Sequence, residues 1–195
     1  MVRILTLICL ALLLPVQVFA NTPASDALPE VRATLDKVIE INKQYIGDQN
    51  KKLRREKLRE TLNERFDFEE MARRSLGPEW TKRSAEERTE FVKVFSDLLA
   101  RTYLSRVETV SQETVQIVSE RAEFPRSLVK TTVTASNEKF PLDYKLIHRD
   151  GGWKVYDVVI ENIGLVANYR NEFSGIIRKE GFDGLLTKLR EKVAA

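Results

Sequence analysis

The feature that most constrains this chain is a change of hydrophobic period along it. Apolar residues recur every three to four positions up to about Val107, every second position from Thr114 to Ile160, and every three to four again from Leu165. A three- to four-residue period buries one stripe of a helix, and a two-residue period buries one face of a strand. Helices, then strands, then helices define an α+β fold, in which the helices pack on one antiparallel sheet.

The front half supplies Val31, Leu35, Val38, Ile39, Tyr45 and Ile46 at helical steps, followed by Leu53, Leu58, Leu62 and Phe66. Asp67 with Glu70 forms a capping-box pattern that opens a short helix from Phe68 to Leu76, and Gly77-Pro78 stops it. Ser84 with Glu87 opens the next and longest helix, whose broad stripe of Phe91, Phe95, Leu98, Leu99, Thr102 and Tyr103 runs to about Val107. That stripe faces either a filled core or a cavity.

Four β-rich runs follow: Thr114 to Ser119, Leu128 to Ala135, Phe140 to His148 and Trp153 to Ile160. Asp150-Gly151 between the last two predicts a tight hairpin, because both residues tolerate positive φ. The chain closes with Leu165, Val166, Tyr169, Phe173, Ile176 and Ile177 at helical spacing, then Gly181, then a short helix over Leu185, Leu186 and Leu189. The expectation is helices packed on a curved antiparallel sheet of about four strands, a cone around an apolar interior.

The first 20 residues join Arg3 to an apolar run from Ile4 to Leu14 and end in Val18-Phe19-Ala20. This is the pattern of a cleaved secretory signal, with Pro15 and Gln17 breaking the run well short of a membrane span. The mature part is then a single domain, residues 21–195, exported and monomeric. Cys9, the only cysteine, lies within the leader, so the mature chain has neither disulfide nor thiolate chemistry.

Of 195 residues, 43% are apolar and 31% charged, with 32 Lys and Arg against 29 Asp and Glu, a surplus too small and too dispersed for a nucleic-acid footprint. There is no phosphate loop and no dinucleotide fingerprint. The single histidine, His148, sits at the mouth of the hairpin turn, where an exposed structural role outweighs catalysis, and clustered metal-ligand spacing is absent. The chain therefore reads as a binder rather than an enzyme. Asp157, within an otherwise apolar strand, is either a structural acid or the buried base of a small isomerase. The basic run Lys51, Lys52, Arg54, Arg55, Lys57 and Arg59 is either a solvated helix face or a contact for an anionic surface.

Several segments together resemble one family. They are Phe66-Asp67-Phe68-Glu69-Glu70-Met71-Ala72, Leu76-Gly77 with Trp80, Phe91 to Leu99, Arg101-Thr102-Tyr103, Pro141-Leu142-Asp143-Tyr144, Gly152 to Val158, Asn168-Tyr169-Arg170 and Gly181 to Leu185. In this order they are similar to the MlaC family of periplasmic phospholipid-binding proteins, also called toluene-tolerance proteins. The resemblance implies a periplasmic carrier with phospholipid as cargo and no cofactor. It implies as partners an outer-membrane MlaA-like lipoprotein complex and an inner-membrane MlaD-like protein, the MCE-domain component of an ABC transporter. Face alternation and resemblance together select Phe95, Leu99, Tyr103, Val133, Tyr144, Leu146, Val155, Val159, Tyr169 and Phe173 as the expected lipid pocket, with Tyr103 and Tyr144 nearest the glycerol. A carrier of hopanoids or other polycyclic lipids, like the related HpnM proteins, and an isomerase using Asp157 stand as alternatives.

Overall fold

A computed structural model describes residues 26–111, 114–135 and 138–194. The leader, residues 1–20, lies outside the described residues. Four helices come first: α1 (Leu28–Gln44), α2 (Lys51–Arg65), α3 (Phe68–Leu76) and α4 (Ala85–Val107). A meander of β1 (Val115–Glu123), β2 (Arg126–Ala135), β3 (Glu138–Arg149), β4 (Gly152–Ile160) and the two-residue β5 (Ile163–Gly164) follows, and α5 (Leu165–Ala194) ends the chain. The strands lie in sequence order in one antiparallel sheet of five. The expected four strands are joined by this short fifth.

Local chemistry sets the boundaries. The Ser84 hydroxyl accepts the Glu87 N–H, and the Glu87 carboxylate accepts the Ser84 N–H, a complete capping box at the start of α4. At α3 only half of that box forms. Asp67 accepts the Glu70 N–H, but the Asp67 N–H donates to the Val155 carbonyl, which frees Glu70 to bind Arg73 and Arg74. The β3–β4 hairpin turns on Asp150 and Gly151, at φ 52° and 80°, with Arg149 paired to Gly152. Gly181, at φ 75°, interrupts α5 where the sequence places a break between two helices.

Two strand carboxylates cap helix N-termini. Glu120 of β1 accepts the N–H groups of Ala27 and Leu28 at the start of α1. Asp157 of β4 accepts the Val166 N–H at 3.0 Å at the start of α5, and its second oxygen takes the Lys145 ammonium at 3.1 Å. Both supply a negative charge to the positive end of a helix dipole.

Two cores result. Between α3, α4 and α5, Phe91, Phe95, Tyr169, Phe173 and Phe182 interlock with ring centroids 5.2–6.0 Å apart, several of them edge to face. Between α1 and the sheet, Val31, Val129, Leu146, Trp153, Val155 and Val158 form the second. His148 is half-buried rather than exposed, because its ring packs against Phe124 and Trp153.

Candidate functional site

The space between the sheet, α1, α2 and α4 is not filled. It is a cavity of about 590 Å³, within the range of small-molecule sites. One wall is the inward row of the sheet: Val115 of β1, Val133 of β2, Phe140, Leu142 and Tyr144 of β3, and Val155, Val158 and Ile160 of β4. Facing it stand Val31, Leu35 and Val38 of α1, Leu62 of α2, and Leu99, Tyr103, Leu104 and Val107 of α4, with Phe66, Phe68 and Met71 at one end.

Cross-strand register explains the sheet wall. Val133 lies opposite both Val115 and Phe140, and Tyr144 lies opposite Val158, so these side chains share a face. In β4 the register slips by one residue: Lys145 pairs with Asp157, but Leu146 pairs with Val155, leaving Tyr156 as a bulge. The bulge inverts the alternation, so Val155 before it and Val158 and Ile160 after it all face inward.

Of the ten expected residues, Leu99, Tyr103, Val133, Tyr144 and Val155 line the cavity. Phe95, Tyr169 and Phe173 lie instead in the aromatic core against α5, since the α4 stripe is wide enough to serve two sides. Leu146 is fully buried beside Trp153 in the second core, beyond the end of the cavity. Val159 is not on the wall, because the Tyr156 bulge shifts its parity. Missing from the sequence reading were the contributions of α1 and α2 and of Phe140, Val158 and Ile160. Their signal was present in the Val31, Leu35, Val38 and Leu62 stripe, which shows burial without showing what it is buried against.

The interior is electrostatically quiet. Burial pushes the Tyr144 phenol up to about 12, so it is a neutral hydroxyl. Burial also raises the Tyr169 phenol, which sits behind the wall near Tyr103. Arg65 reaches the wall but is held by Glu30, the Thr34 hydroxyl and the Trp153 carbonyl. Asp157 is buried outside the cavity with both oxygens engaged, the arrangement of a structural acid. Among the described residues no cluster of three or more His, Cys, Asp or Glu is placed to hold a metal. The site can enclose apolar matter, and its charged lining residues Arg59, Arg106, Glu138 and Glu161 are solvent-exposed.

The family model described as MlaC protein matches residues 32–191. The chain belongs to the MlaC family. A Haemophilus influenzae relative named the intermembrane phospholipid transport system binding protein MlaC is 26% identical over 125 residues, 61% of this chain and 58% of that protein, so the match spans less than two thirds of the relative. A phospholipid-binding protein from Ralstonia solanacearum, solved in complex with a phospholipid, superposes with a TM-score of 0.74 at 28% identity. That match covers 87% of this chain and 97% of the Ralstonia chain. The MlaC fold is thus an α+β arrangement of helices on an open antiparallel sheet, as the sequence predicts.

Proposed function

We propose that this MlaC-family chain is a periplasmic carrier that holds phospholipid acyl chains in the cavity and exchanges them with membrane-bound partners. The observation that carries this is the cavity wall, made largely of aliphatic and aromatic side chains from helices α1 to α4 and strands β1 to β4. Among the described residues no helix is long and apolar enough to cross a membrane. The phospholipid bound by the Ralstonia relative, and the transport system named for the Haemophilus one, support the same reading.

The energetics require such enclosure. A diacyl lipid has about 30 methylenes at roughly 0.8 kcal/mol each, so exposed tails would cost on the order of 25 kcal/mol in water. Moving the tails from a bilayer into an apolar cavity replaces one apolar environment by another. Exchange then runs near balance and needs no bond-making in this chain. On this reading the protein is not an enzyme, and energy input belongs to partners: an outer-membrane MlaA-like lipoprotein complex on one side, and an inner-membrane MlaD-like MCE-domain protein of an ABC transporter on the other.

The test is native mass spectrometry of protein purified from the periplasm without detergent, followed by extraction and identification of bound lipid. Co-purified diacyl phospholipid is the expected result. A terpenoid lipid, or a folded protein that is reproducibly empty and cannot be loaded, would overturn the proposal.

A further inference from the structure

An amphiphile whose tails fill this cavity must leave its headgroup at the solvent edge. Six polar wall residues are also solvent-exposed: Arg59, Asn63, Arg106, Thr109, Glu138 and Glu161. They divide between two places. Arg59 and Asn63 belong to α2 and face α4, where Arg59 is paired with Asp97. Arg106 and Thr109 are at the end of α4, whereas Glu138 begins β3 and Glu161 follows β4. Antiparallel register sets the start of β1, the end of β2, the start of β3 and the end of β4 at one end of the sheet, with Val115 and Phe140 both opposite Val133 and Ile160 opposite Leu142. The Glu161 N–H donates to the Pro141 carbonyl and closes that end.

Three arginines line the cavity, and their states differ. Arg59 is neutralised by Asp97, and Arg65 by Glu30. The Arg106 guanidinium has no carboxylate or carbonyl acceptor among the described residues. Its carbon lies 5.8 Å from the ring centroid of Tyr103, itself a wall residue. Contact with an aromatic face steadies a guanidinium while leaving its edge donors available for a planar anion.

We propose that Arg106 holds the phosphodiester of the bound lipid at the cavity mouth, and that Glu138 and Glu161 bias this mouth toward headgroups that also carry an ammonium. The phosphate is the charge closest to the glycerol, so it comes to rest where the apolar wall gives way to solvent. Arg106 can donate two parallel hydrogen bonds to it. Two carboxylates on the same wall repel a headgroup of net negative charge and attract an amine. This assignment deepens the carrier reading and rests on it.

The experiment loads delipidated protein from vesicles holding equal amounts of two lipids with identical chains and reads the bound ratio by native mass spectrometry. The pairs are drawn from diacyl phosphoethanolamine, diacyl phosphoglycerol and diacylglycerol. Wild type is expected to prefer the phosphoethanolamine lipid over diacylglycerol by about tenfold, the scale of one charge-assisted contact. Arg106→Gln is expected to bring that ratio to within about twofold of unity, with Arg106→Lys between. Glu138→Gln with Glu161→Gln is expected to raise phosphoglycerol uptake relative to phosphoethanolamine by about threefold. A folded Arg106→Gln protein that keeps the wild-type ratio overturns the phosphate assignment, and an unchanged ratio in the double glutamine variant overturns the charge bias. Complete loss of the wild-type preference over diacylglycerol in excess inorganic phosphate also overturns the phosphodiester assignment, marking a free-anion site. A folded wild type that takes up none of the three lipids refutes the carrier reading itself, since diacylglycerol loading does not depend on Arg106.

Discussion

Val133→Trp separates a cavity wall from a filled core. Val133 is half-buried, points into the cavity and lies between Val115 and Phe140 in the sheet. An indole there projects into open space instead of overpacking a closed interior, so the fold should tolerate it. It would occupy the room of about four lipid methylenes, which at roughly 0.8 kcal/mol each amounts to about 3 kcal/mol, or roughly a 150-fold loss of affinity. The comparison is Phe95→Leu, one helical turn before Leu99 on α4 but fully buried against Tyr169 and Phe173. That change should cost about 1–2 kcal/mol of stability, a fall in Tm of roughly 3–6 °C, and leave lipid capacity intact. Bound lipid per chain by native mass spectrometry, with thermal unfolding of the delipidated proteins, reads both quantities. A folded Val133→Trp protein with wild-type affinity, or a Phe95→Leu protein that has lost its lipid, would refute the assignment of these residues to wall and core.

Two further outcomes follow from the polar framework. Burial alone would raise the Glu70 carboxyl, but its hydrogen bonds to Arg73 and Arg74 outweigh that and hold it at about 2 against an ordinary 4.5. Its contribution, up to roughly 3 kcal/mol, is therefore complete above about pH 4.5 and is lost as pH falls toward 2; denaturant titrations of wild type and Glu70→Gln should converge across that window, and parallel curves would exclude the linkage. Asp157→Asn should lower stability by about 1–2 kcal/mol through the weakened cap on α5 and leave bound lipid unchanged, whereas lost lipid with unchanged stability would return Asp157 to the list of functional groups.

Elements were legible in the sequence where a local rule determined them. The Ser84 capping box, the Asp67 cap, the Asp150-Gly151 turn and the break at Gly181 each depend on a few adjacent residues, and each occurs where the pattern puts it. The cavity depends on long-range geometry, and there the reading divides. Leu99 and Phe95 are four residues apart on one apolar stripe, yet one faces a hollow and the other a neighbouring helix. Helical periodicity reports burial and cannot report the partner. Val155 and Val159 share parity in an ideal strand, and only the extra residue at Tyr156 separates them. Nothing in the run Trp153 to Ile160 marks that bulge, which arises from pairing with β3.

A hollow of this size between apolar surfaces has to be held open. The hydrophobic effect is non-directional and favours collapse of the helices onto the sheet. Opposing it are directional polar contacts placed around the cavity. Glu120 fixes the start of α1 to β1, and Arg65 with Glu30 ties α1 and α2 to the carbonyl of Trp153 on β4. Glu108 binds both Arg54 and Arg55, and Asp97 binds Arg59, which together set the distance of α2 from α4. Each contact has a preferred geometry, so the helices stop short of full collapse and the wall stays uncovered. The fold thereby leaves part of its own apolar burial to be completed by a ligand, and occupancy and stability become linked: a cargo present at 100 times its Kd would stabilise the folded chain by about 2.7 kcal/mol. On the proposed carrier reading, such a chain is least stable when empty, which favours loading at one membrane and makes transfer to a second site depend on that site offering the tails an equally apolar home.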